Sequence, residues 1–178
     1  MHITFNLDHV FNGSSPDLEN TRVLSALLAC LVEIDYAYLK AHTVPRLYDS
    51  GVKYGRTKLW ESIPELYKRG RGDCKSLSAA LIAEYKLRGI FSKPVFRFMP
   101  HSNGENYHIL VMVPGKNGLS RKLFEDPSKR LGMNRLSDAR VFFDRSEVSG
   151  ETSGLFDSMM KLFSTNSPKR KRGNNVRR

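Results

Sequence analysis

Cys74 directly follows Gly72-Asp73 and opens the run CKSLSAALIAEYKLR, which has helical spacing in Leu77, Ala80, Leu81, Ala83 and Leu87. A thiol on the first turn of a helix meets unpaired backbone N–H groups and the positive end of the helix dipole. Both favour the thiolate, the nucleophilic form. The other cysteine, Cys30, lies mid-run in ALLACLV, the setting of a structural residue. A nucleophilic thiol needs an imidazole to take its proton. The imidazole needs an acceptor on its second nitrogen to fix tautomer and orientation. His108 leads HILVMV, and Glu125-Asp126 ends KLFED.

The elements that must position these groups are a helix and two strands. Tyr107–Val113 is apolar on both faces, which predicts a central strand. Lys122–Glu125 reads as its hairpin partner around Pro114–Gly118. With Val113 opposite Ser120, His108 faces a position near residue 125. Cβ atoms directly opposed across strands are about 5 Å apart. Neighbours on a strand face opposite ways, so only one of Glu125 and Asp126 can orient His108. Asp126, before Pro127 at the strand end, is the more accessible. Asp73 reads as a helix N-cap.

The remaining elements build a body around these three. His2–Phe11 predicts a strand, and Ser15-Pro16 an N-cap with proline at the first helical position. Asp17–His42 predicts a core helix through Val23, Leu24, Leu27, Leu28, Leu31 and Ile34. Trp60–Tyr67 predicts a short helix and Pro94–Met99 a strand. Ser137–Asp144 predicts one more element. The expected class is α+β.

The stretch from Trp60 to about Met133 covers 74 of the 178 residues. Its WESIPELYKRGRGDCKSLSAALIAEYKLRGI, YHILVMV and FEDPSKRLGM resemble the transglutaminase-like superfamily of papain-like cysteine enzymes. The resemblance is strongest to small proteins of that type encoded by tailed bacteriophages. It implies a papain/transglutaminase-like core, with the cysteine helix packed on an antiparallel sheet that carries His and Asp. It assigns Cys74 as nucleophile, His108 as base and Asp126 as orienting acid. Such phage proteins often carry acidic residues directly after the cysteine, where this chain has Lys75 and Ser76. The basic Lys75 should lower the thiol pKa. The backbone N–H of Cys74 is the natural first oxyanion donor. Trp60 offers an indole N–H as a second, or packs in the core beside Pro64.

The implied activity is hydrolysis or acyl transfer at a peptide or isopeptide amide, with peptidase-type hydrolysis ahead of crosslinking. No cofactor is implied. His2, His9, His42 and His101 have no ligand spacing, so no metal site is expected.

Lys and Arg number 29 against 18 acids, a net charge of +11. Six of the basic residues are Lys169, Arg170, Lys171, Arg172, Arg177 and Arg178, in the last twelve positions. Those twelve carry no acid, so they can bind nucleic acid through phosphates or remain a solvated tail. The expected organisation is a domain over 1–145, a linker over 146–154, an amphipathic helix over 155–164 and a basic disordered tail over 165–178. Leu155, Phe156, Met159, Met160 and Phe163 share one side of that helix. They can dock on a virion partner, lie on a membrane surface or pack on the body. The alternative function is therefore a catalytically silent virion or assembly protein on the same fold. The longest apolar run, Ala26–Val32, is too short to span a bilayer. The first ten residues lack signal-peptide features. Two cysteines without an export signal predict free thiols, in a bacterial host's cytoplasm or in a virion.

Overall fold

The computed structural model describes residues 16–101, 104–114, 122–133 and 143–144. Its elements in order begin with α1 (Pro16–Ala41), a single 3₁₀ turn (Leu47–Asp49), β1 (Lys53–Tyr54) and α2 (Ile63–Arg69). Then come β2 (Arg71–Gly72), α3 (Cys74–Leu87), β3 (Lys93–His101), β4 (Gly104–Pro114), β5 (Lys122–Glu125), α4 (Pro127–Arg130) and β6 (Phe143–Asp144). The class is α+β, as expected. An antiparallel sheet has the order β5-β4-β3-β6, and β1 and β2 form a separate parallel pair.

The expected helices and strands between residues 16 and 125 form close to their expected bounds, and β4 is central as its two apolar faces require. Of Ser137–Asp144, Phe143–Asp144 pairs with β3. The strand expected over 2–11, the Ser15 cap, the rest of the Pro114–Gly118 turn and everything from residue 145 onward lie outside the described residues.

The core explains the composition of α3. Every residue from Cys74 to Glu84 is buried, because α1 packs on one side of the helix and β4 on the other. Ala79, Ala80 and Ala83 are fully buried and leave room for that approach. Leu28 and Val32 of α1, Leu77 and Ile82 of α3, and Phe96, Ile109 and Val111 of the sheet share one cluster. Strand alternation puts Val95, Leu110 and Met112 on the other face, in a cluster of their own. His108 belongs by the same alternation to that second face.

Two buried carboxylates tie the helices to the loops. Glu84 Oε1 accepts from the Leu47 N–H at 2.5 Å. Asp35 Oδ1 accepts from the Ile63 N–H at 2.7 Å, at the start of α2. Asp35 is fully buried and its second oxygen has no hydrogen-bond partner. Burial pushes its carboxyl up to about 8, against the smaller opposing effect of the Ile63 bond. The folded chain thus keeps a proton that the unfolded chain loses near pH 4. Its contribution to stability is complete below that pH and drains away as pH rises from about 4 through about 8, at up to ~1.4 kcal/mol per pH unit. Burial raises Glu61 and Glu84 in the same direction. Asp35→Asn keeps an oxygen for Ile63, so urea unfolding across pH 4 to 8 should show a flatter profile than the parent's.

Candidate active site

The site is built where β2 turns into α3. Gly72 is buried, and a Cβ there would collide with Leu66 Cδ1. Glycine in the GDC run is therefore demanded by packing. Gly72→Ala should destabilise the fold by about 1–3 kcal/mol in urea unfolding. Asp73 is the N-cap of α3, in extended backbone, and accepts from the Lys75 N–H at 3.1 Å.

The position of the thiol follows from where β5 stops. Val113 pairs with Leu123 and Val111 with Glu125. Carrying that register on would set Pro127 opposite Ile109. Proline has no N–H to give the ladder, and its fixed φ suits a first helical residue, so the chain turns into α4 instead. The polar groups of Ile109 on that side of β4 then need other partners. Ser78 of α3 donates its hydroxyl to the Ile109 carbonyl at 3.2 Å. The Ile109 N–H is directed at the sulfur of Cys74. The first turn of α3 thus fills the gap that Pro127 leaves in the sheet, with the thiol held against the backbone next to His108.

His108 is buried, and its Nε2 lies 3.0 Å from Asp126 Oδ2. The expected register was wrong by three residues, since Val113 faces Leu123 and not Ser120. Glu125 therefore stands opposite Val111, on the α3 face. There its carboxylate accepts from Tyr48 at 2.7 Å and from Tyr85, and meets Arg130 at 3.2 Å. Asp126, one residue on, turns to the other face and reaches His108. It also caps α4, accepting from the Lys129 N–H at 3.1 Å. The two tyrosines and Arg130 anchor Glu125, and strand alternation then aims Asp126.

The electrostatics correct one expectation. Cys74 is 8 % exposed and Cys30 half-buried, so the residue expected to be structural is the more open of the two free cysteines. Burial, with the Asp73 carboxylate adding to it, pushes the Cys74 thiol up to about 12. Lys75 and the Ile109 N–H pull the other way and lose. The helix dipole and Lys75 do not produce a resting thiolate, because desolvation outweighs them. Lys75 is itself buried. Its ammonium meets Asp73 and the Thr57 carbonyl (2.9 Å) and lies 6.0 Å from the Trp60 ring centre. For Asp126, burial acts to raise the carboxyl. The His108 and Lys129 contacts outweigh it and hold the group below the usual carboxylate range.

No family model matches this chain, and no curated protein or solved structure matches it. Trp60 is half-buried and packs against the main core cluster. The six tail cations and the apolar residues of 155–163 lie outside the described residues. Among the described residues no group of His, Cys, Asp and Glu is arranged to hold a metal. No described helix is long and apolar enough to cross a membrane. Sequence reasoning missed Ser78, the Ile109 amide and the Glu125 anchor. The signal for the first two was Pro127, which forbids the next rung of the ladder, whereas the Glu125 anchor comes from Tyr48 and Tyr85, distant in sequence.

Proposed function

We propose that the chain is a transglutaminase-like cysteine hydrolase or acyltransferase acting on a peptide or isopeptide amide. Cys74 is the nucleophile, His108 the base and Asp126 the orienting acid. The observation that carries the reading is the His108–Asp126 pair, 3.0 Å apart, together with a helix-start thiol that meets the amide of the residue following His108, Ile109. With Nε2 committed to Asp126, Nδ1 is the nitrogen that serves the thiol. Sγ adds to the amide carbon as its proton passes to His108. The Cys74 N–H, one of the unpaired donors of the first helical turn, faces the developing oxyanion. The C–N bond breaks and the amine leaves with the proton. A thioester remains on Sγ. Water, or an acceptor amine, then attacks the thioester and gives its proton to His108. The S–C bond breaks, the sulfur recovers the proton, and the acid or new amide departs. A thiol pushed up to about 12 stays neutral at rest, so His108 acts in the transition state and not by holding a preformed ion pair.

Incubation with p-nitrophenyl acetate tests this. One acetyl group should appear on Cys74 by mass spectrometry, with a burst of one nitrophenolate per chain. Acetylation only at lysines or Cys30 contradicts it. The same burial and high thiol pKa favour a second reading, a catalytically silent assembly protein on this fold. That reading predicts no burst, and partner binding that is lost when residues 155–178 are removed.

A further inference from the structure

The rim of this site on the β1–β2 side is basic. Lys53 and Arg71 are register partners in the parallel pair, and both are exposed. Like charges side by side on neighbouring strands repel. Among the described residues neither makes an ion pair. The nearby acids are engaged elsewhere, Asp73 with Lys75 and Glu61 with Arg69 at 2.7 Å. The Arg71 stem lies across Gly55, where an added Cβ would stand 3.3 Å from its Cδ. Glycine at 55 thus makes room for the arginine to cross the strand. The exposed Arg56 and Lys58 follow in the same loop, and Thr57 between them is tied by its carbonyl to Lys75. Arg71 precedes Cys74 by three residues, so its Cα lies at most about 11 Å from that of Cys74. Lys53 is one strand spacing, about 5 Å, further.

We propose that the segment bound alongside Cys74 is an acidic peptide whose carboxylates sit between Lys53 and Arg71. This deepens the cysteine-hydrolase reading and rests on it. Arginine presents a planar fork that matches a carboxylate in two hydrogen bonds. Two cations on neighbouring strands suit one or two carboxylates. A nucleic-acid strand draws its affinity from many phosphates, which this short rim does not offer. The exposed Leu59 adds an apolar contact to the same loop.

The test is an amide NMR titration of the full chain at low salt, with a capped hexapeptide bearing two central glutamates and with its glutamine counterpart. The glutamate peptide should bind about fivefold tighter or better and shift the amides of Arg71 to Lys75. Lys53→Gln with Arg71→Gln should erase that preference and leave distant amides unmoved, since both side chains are exposed. Equal binding of the two peptides overturns the proposal. So does a preference that survives in the double variant, or the same shifts from a single-stranded thymidine oligonucleotide but not from the peptide. Failure of the triad itself is read separately, from the His108 dependence of Cys74 reactivity.

Discussion

Asp126→Asn leaves the fold intact and removes most of the reactivity of Cys74. The asparagine oxygen still accepts from the Lys129 N–H, so α4 keeps its cap. What is lost is the charge that stabilises a protonated imidazole and the acceptor that selects its tautomer. General base assistance is worth about 10²–10⁴-fold. Acetylation of Cys74 by p-nitrophenyl acetate at pH 7 should fall about 100-fold or more, with only a small fall in the urea midpoint from the lost Asp126 charge. A drop of less than threefold would mean that the 3.0 Å contact between His108 and Asp126 only braces α4.

Asp73→Ala separates stability from reactivity in the opposite sense. Asp73 caps α3 and neutralises the buried Lys75. Its removal leaves an unpaired buried cation and an open first turn, which together cost about 3–5 kcal/mol. The same change takes away the second-largest influence raising the Cys74 thiol. Urea unfolding should show the destabilisation. The thiol of the remaining folded protein should titrate at lower pH than the parent's, by ultraviolet absorbance of the thiolate. Asp73→Asn keeps a capping oxygen and should recover part of the stability while retaining the lowered titration.

The parts of this site that were legible in the sequence are those set by local rules. The helix at Cys74 follows from apolar spacing, the Asp73 cap from its side chain, and the central place of β4 from two apolar faces. The partner of His108 was narrowed to Glu125 or Asp126, and period-2 alternation decides between them once one is placed. The register was not legible, because the connection between β4 and β5 is longer than the tight turns that fix pairing. The parallel pair of β1 and β2 has two residues in each strand, too few to show a period. The thiol expectation failed for a related reason. The helix dipole is visible in sequence, whereas burial of Cys74 among α3, β4 and the Asp73–Lys75 pair comes from packing. Pro127 was legible as the strand end, but its further consequence, that β4 is left open to α3 at Ile109, shows only once the register is known.

The central claim is that His108 activates Cys74. The most direct measurement is the rate of iodoacetamide alkylation of Cys74, resolved from Cys30 by mass spectrometry, from pH 5 to 11 in the parent and in His108→Ala. A thiol titrating near 12 and acting alone reacts about tenfold faster with each pH unit and is nearly inert at pH 7. If His108 takes the proton, the parent reacts at pH 7 about 100-fold or more faster than His108→Ala, and only the variant follows the simple tenfold rise. Superposable profiles for the two proteins would contradict the account.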